Sequence, residues 1–169
     1  MLTTNQKGAI AEAAIVQAAI SLGVSVWRPV LRERYDLVFD LGPRFLRVQC
    51  KWASREEATV LVRSYSCRRT RDGLIRRPYS ADEVDAIAAY CAELNSCYLL
   101  PCELFNGRAL IHLRLRPARN GQRQGINWAE KFEFAATLGR QQGAIAQLGE
   151  RLDGIQEVAG SSPAGSTLR

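Results

Sequence analysis

The chain has 169 residues, 47% hydrophobic and 24% charged, enough for one globular domain with its own core. Lysine and arginine outnumber aspartate and glutamate by 23 to 17, a net charge of +6 with a pI near 9.4, which favours polyanionic partners such as nucleic acid. No apolar run reaches the roughly 20 residues that span a bilayer, and the five cysteines, an odd number with no secretory leader before them, argue against a disulfide framework. A cytoplasmic protein with reduced thiols and no membrane partner is expected.

Thr3 to Asn5 offers capping side chains ahead of Gln6 to Leu22, where Ile10, Ala14, Ile15, Ala18 and Leu22 recur at helical spacing until Gly23 stops the run. Val24 to Pro29 reads as a short strand. After a charged loop, Leu31 to Arg34, the segments Tyr35 to Asp40 and Arg44 to Lys51 flank Gly42-Pro43 and read as a β-hairpin. A further strand is expected near Thr59 to Ser66, followed by a polar, arginine-rich loop from Cys67 to Tyr79 and a turn at Ala81 to Val84. Ala86 to Cys91 and Ser96 to Pro101 are apolar runs of strand length, and Asn127 to Leu138 reads as a closing helix. Cys91, Cys97, Cys102 and His112 lack the tight spacing of a zinc knuckle and lie in apolar stretches, so core packing is expected of them. The order of elements predicts an α/β fold, a single domain with a mixed β-sheet flanked by helices over residues 1–138.

The hairpin concentrates the chemistry. With the turn centred on Gly42-Pro43, Leu41 pairs with Arg44, and counting outward places Asp36 opposite Gln49. Period-two alternation puts Arg47, Gln49 and Lys51 on that face and turns Leu46, Val48 and Cys50 towards the core. Phosphodiester hydrolysis calls for a hard divalent cation, Mg²⁺ or a substitute such as Mn²⁺, held by oxygen ligands. The Asp36 carboxylate and the Cys50 backbone carbonyl are candidates, and Lys51 is suited to orient water or stabilise charge on the phosphate. Glu12 lies on the first helix among small residues, where its carboxylate can lean towards the sheet. The plainer reading makes Asp36 and Lys51 solvated strand ends and Glu12 an ordinary surface glutamate, and a one-residue register slip would break the geometry.

Five ordered blocks carry a resemblance: KGAIAEAAI, YDLVFDLG, FLRVQCKWA, RRPYSADEVDAIAAYC and CYLLP. Together, over about residues 5 to 138, they resemble the PD-(D/E)XK homing endonucleases associated with bacterial group I introns. The resemblance implies that Asp36, Gln49 and Lys51 match the aspartate and Gln-X-Lys signature and that Glu12 matches the helical glutamate. It implies Asp36, the Cys50 carbonyl, Glu12 and Gln49 around the metal. It also implies a nuclease-like sheet fold, a double-stranded DNA substrate and assembly as a homo-oligomer, dimer or tetramer. Two departures from the wider superfamily stand out. Tyr35 replaces the proline before the aspartate, and Gln49 replaces an acidic residue, which lowers the site's negative charge and leaves metal stoichiometry open.

Arg63, Arg68, Arg69, Arg71, Arg76 and Arg77 cluster downstream of the hairpin with Asp72 the only acid among them, and together with Lys7 they are candidate DNA contacts. The plainer alternative is a solvated basic loop. Tyr65 and Tyr79 are aromatic candidates for base stacking, with packing against the sheet the commoner role.

Residues 139–169 read as a flexible tail rich in Gly, Ser and Pro. From residue 143 they also resemble the translation of a transfer-RNA gene. Ile-Ala-Gln-Leu-Gly-Glu-Arg back-translates to a D-arm-like segment, Ala-Gly-Ser-Ser-Pro to a T-arm-like one, and the stretch between to an anticodon stem with an alanine anticodon. Source DNA without a cloverleaf-capable segment there would sink this hypothesis. Three functions follow for the chain as a whole: a site-specific, metal-dependent DNA endonuclease, a structure-selective junction nuclease, or a DNA-binding protein whose nuclease site has decayed.

Overall fold

The computed structural model describes residues 1–117, 122 and 124–140. Helix α1 (Thr4–Ser21) starts from a capping box in which the Thr3 hydroxyl accepts the Gln6 N–H and the Gln6 side chain accepts the Thr3 N–H. It ends where Gly23 takes a positive φ of 76° and the N–H groups of Gly23 and Val24 donate to Ile20 and Ala19. Its buried face is Ala11, Ile15 and Ala19, an i, i+4 row of small and branched side chains. Of the residues expected to form the apolar stripe, Ile10 and Leu22 are exposed, because the row that meets the sheet is rotated from theirs.

The sheet is built around one long strand. β3 (Phe45–Glu56) pairs antiparallel with β2 (Leu37–Asp40), which in turn pairs with β1 (Ser25–Trp27). On its other side β3 runs parallel to β7 (Ala86–Cys91), followed by β8 (Ser96–Pro101). The far end of β3 continues into a wing of β4 (Thr59–Arg63) and β9 (Leu110–Arg114). The parallel β3–β7 pair among antiparallel ones makes the sheet mixed, as expected from the sequence.

Alternation along β3 assigns its two faces. Leu46, Val48 and Cys50 join Leu37 and Phe39 beneath α1, where Phe39 meets Phe134 edge to face at 5.8 Å. Full burial of Phe39, Leu37 and Val48 stabilises the fold by about 1.5–3 kcal/mol each. The opposite face is covered by the β4–β9 wing and Phe105 of the short helix α2 (Cys102–Phe105), with Ala53, Val62, Ile87 and Leu113 in the layer. Helices therefore flank one face, and strands cover most of the other. Cys97 packs with the first layer, Cys91 and Cys102 with the second, whereas His112, expected in the core with them, is exposed because it alternates with buried Ile111 and Leu113 on β9.

Three further expectations change. The Cys67–Tyr79 loop is instead an exposed two-stranded ribbon, β5 (Tyr65–Thr70) and β6 (Gly73–Pro78), in which Thr70 pairs with Gly73 across Arg71-Asp72. The closing helix is split into a 3-10 turn (Ala129–Phe132) and a helix over 134–140, because Trp128 bridges to Arg114 and Glu133 to Tyr98, holding extended backbone at both places. Strand β9 was not expected. No described helix is long and apolar enough to cross a membrane. The tail expected over 139–169 lies, beyond residue 140, outside the described residues.

Candidate active site

The hairpin turn is closed by the Leu41 N–H donating to the Arg44 carbonyl at 2.9 Å, while the Gly42 N–H donates to Asp40 Oδ1 at 2.9 Å. From Asp40↔Phe45 the register runs without slippage to Leu37↔Val48. The next position outward sets Asp36 beside Gln49, and its N–H donates to the Val48 carbonyl at 3.0 Å.

Asp36 Oδ2 accepts two hydrogen bonds, one from the Cys50 N–H at 2.8 Å and one from the Gln49 side-chain amide. The same amide donates to the Cys50 carbonyl at 3.2 Å. A single donor group thus bridges the carboxylate and the carbonyl that the sequence nominated as metal ligands. Two oxygens converging on one N–H donor group form a donor set suited to a hard cation. Burial, with the Glu12 charge adding to it against the Cys50 hydrogen bond, holds the Asp36 carboxyl above its usual range.

Lys51 leaves β3 on the same face and donates from Nζ to Tyr79 Oη at 2.9 Å, with the ammonium 4.7 Å from the ring centroid. Burial lowers its pKa, opposed by the Asp36 charge, while burial pushes Tyr79 up to about 12. Arg34 packs on the same ring, its guanidinium 4.4 Å from the centroid. Arg34 also donates to Ser66 Oγ at 2.7 Å, to the Pro78 carbonyl at 3.1 Å and to Glu83 at 3.2 Å. Sequence reasoning missed Arg34 and left Tyr79 as a generic aromatic. They lie far apart in the chain, and no local pattern joins them.

Glu12 stands within electrostatic reach of Asp36 and Cys50 and forms an ion pair with Arg28 at 2.8 Å. Arg47, on the site's face, is taken up by the scaffold. It forks onto Asp85 at 3.0 and 3.1 Å and donates to the carbonyls of Asp82 and Ala81, fixing the turn before β7. Lys7 stands 5.6 Å over the Trp52 ring, on the face of β3 opposite Lys51 and apart from the arginines. Arg63 is exposed at the end of β4, one residue before Ser64, whose carbonyl accepts the Tyr79 N–H at 3.2 Å. Arg68, Arg69, Arg71, Arg76 and Arg77 all lie on the exposed ribbon or its turn. A cleft of about 490 Å³ opens between α1, the β7–β8 turn and residues 133–135, but none of Asp36, Gln49 or Lys51 lines it.

The family profile described as PD-(D/E)XK endonuclease matches residues 2–135, which takes in Glu12, Asp36, Gln49 and Lys51. The chain belongs to the PD-(D/E)XK endonuclease family. Among solved structures, the bacterial homing endonuclease I-Ssp6803I is similar at 29% sequence identity with a TM-score of 0.68, over 86% of this chain and 99% of that one. No curated protein matches this chain. Within the matched residues, Asp36, Gln49, the Cys50 carbonyl and Lys51 all lie at one end of the β2–β3 pair.

Proposed function

We propose that this chain is a site-specific, metal-dependent DNA endonuclease of the homing type that hydrolyses phosphodiester bonds to leave a double-strand break. The observation that carries this reading is the meeting of the Asp36 carboxylate and the Cys50 carbonyl on one donor, with Lys51 on the same face and a basic ribbon rising beside it.

A Mg²⁺ or Mn²⁺ ion would be held by Asp36 and the Cys50 carbonyl, with Glu12 and Gln49 assisting. Such a cation polarises the phosphate and lowers the pKa of an attacking water. Gln49 is neutral, and turning its amide about the last side-chain torsion exchanges the bridging NH₂ for an oxygen that can accept or ligate. Lys51 gives one of its three N–H donors to Tyr79 and keeps two for water or phosphate oxygen. Its positive charge, in a site partly shielded from solvent, stabilises negative charge developing on the phosphate. Lys7, Arg63 and the ribbon arginines supply charge that neutralises phosphates along the duplex. One chain of this size spans part of a long target, so a dimer or tetramer is proposed, and a break made in this way favours the spread of an element such as a group I intron.

The test is incubation of the full-length chain with linear duplex, supercoiled plasmid and branched DNA in Mg²⁺, beside Asp36→Ala and Lys51→Ala. Cleavage of duplex at defined positions, lost in both variants, is expected. Wild-type protein that binds DNA but never cuts it would replace this reading with that of a decayed nuclease. Cleavage confined to branched DNA would replace it with that of a junction nuclease.

A further inference from the structure

The β5–β6 ribbon has two chemically different faces. Its register pairs Cys67 with Arg76 and Arg69 with Leu74, so these four side chains share one face, and Ser66, Arg68, Ile75 and Arg77 share the other. The body of the protein holds the second face at its base, where Arg34 binds Ser66 and Glu83 binds Arg77. The first face is left open, with Cys67, Arg69, Leu74 and Arg76 all exposed. The ribbon's base adjoins the site, because Tyr79, which accepts the Lys51 hydrogen bond, directly follows β6 and its N–H donates to the Ser64 carbonyl just before β5. The open face therefore starts beside the site and runs away from it.

We infer that this ribbon enters the major groove beside the scissile phosphate, with Arg69, Leu74 and Arg76 against the base edges as the residues that set sequence preference. The inference rests on the nuclease reading and deepens it. A two-stranded ribbon fits the major groove, about 12 Å wide, and not the minor groove of about 6 Å. Leu74 is 56% exposed at the ribbon's end, an aliphatic side chain suited to a thymine methyl. Arg76 is poised by the Tyr65 ring, 5.3 Å from its guanidinium. Arg69 and Arg76 are diagonal neighbours on the open face, which at roughly 7–8 Å corresponds to about two base-pair steps. Arg68 and Arg71 have no ion-pair partner among the described residues and are left for phosphates, whereas Arg77 is part of the ribbon's mounting.

The experiment is binding selection by the full chain from a duplex pool with a randomised centre, in Ca²⁺, comparing wild type with Arg69→Ala, Arg76→Ala, Leu74→Ala and Arg68→Ala. Unchanged thermal melts verify that each variant folds. Arg69→Ala and Arg76→Ala are each expected to erase the preference for one guanine, the two positions lying about two base pairs apart, and to weaken binding of the wild-type site about 5- to 150-fold. Leu74→Ala should relax a neighbouring thymine. Arg68→Ala should weaken all sequences alike and lower the salt slope by about one. In the selected site, 7-deazaguanine, which lacks the major-groove N7 but keeps O6, should weaken wild type by part of what the arginine variants lose, and at the guanine read by the deleted arginine it should cost that variant nothing more. The inference is overturned if Arg69→Ala and Arg76→Ala select the wild-type sequence, or if inosine, which lacks the minor-groove amino group, is the base that matters. Selected duplex that wild type leaves intact in Mg²⁺ refutes the nuclease reading alone, because the selection still decides the ribbon's role. A wild-type chain that binds no duplex refutes both.

Discussion

Replacing Asp36 by asparagine should separate the chemistry of the site from the stability of the fold. One oxygen of the carboxylate, Oδ2, accepts both the Cys50 N–H at 2.8 Å and the Gln49 amide. An asparagine Oδ1 set at that point keeps both bonds. Each loses its charge assistance, about 1 kcal/mol apiece. Against this, burial disfavours the ionised carboxyl, the direction in which its pKa is moved, so neutralisation offsets part of that loss. Asp36→Asn is therefore expected to melt within about 4 °C of wild type in the absence of metal. Asp36→Ala strands the Cys50 N–H, leaves the Gln49 amide only its bond to the Cys50 carbonyl, and should lose about 1–3 kcal/mol. Both variants should lose cleavage by roughly 100-fold or more, since loss of an outer-shell partner alone costs 10- to 100-fold. Wild type should also gain about 2.7 kcal/mol from Mg²⁺ at 100 times its dissociation constant, a gain absent in Asp36→Asn. Calorimetric melts in EDTA and in MgCl₂, with plasmid cleavage on the same preparations, read all of this. An Asp36→Asn protein that cuts at the wild-type rate, or one that melts as low as Asp36→Ala without metal, would refute the reasoning.

Tyr79→Phe removes the acceptor for Lys51 while keeping the ring that Lys51 and Arg34 both approach; cleavage should fall by up to about tenfold with DNA affinity unchanged, measured by single-turnover kinetics beside binding titrations. Arg47→Ala breaks the fork onto Asp85, whose partners are 36% and 21% exposed in their side chains, and after discounting for solvent should cost about 1–2 kcal/mol in urea unfolding. Burial would raise the Asp85 carboxyl, but the Arg47 hydrogen bonds outweigh it and hold the folded value below the ordinary 3.8. Stability from this pair is then present above that ordinary value and lost as pH falls through the folded one, so Asp85→Asn should flatten the acid end of the stability profile. Phe39→Ala, at a fully buried ring packed on Phe134, should lose about 3–5 kcal/mol in the same assay.

Much of this was legible along the chain because its causes are local. The Thr3 cap and Gly23 stop bound α1 through bonds that reach only a few residues. Ala86–Cys91 and Ser96–Pro101 match the apolar runs that announced them, since strands buried on both faces leave continuous hydrophobic stretches. The Gly42-Pro43 turn fixed the register that sets Asp36 beside Gln49, because a hairpin's pairing is counted from its turn. The ribbon carried a signal too, Asp72-Gly73 between two polar runs, but without an apolar face to bury it read as a loop.

Other features belong to the tertiary structure alone. Which row of α1 meets the sheet depended on the shape of the surface under it, so Ala11, Ile15 and Ala19 were chosen over the bulkier Ile10 and Leu22. The closing helix broke at Glu133 because a bridge to Tyr98 held its backbone extended, an influence from a strand far back in the chain. Lys51 is given its environment by Tyr79 and Arg34, and the ribbon its mounting by Arg34, through contacts spanning 28 to 44 residues. By itself the sequence determined the elements and the residues able to do chemistry, since propensity, turns and alternation act over a few residues. The folded chain alone decided their neighbours, because burial and charge pairing at the site are made between segments that only packing brings together.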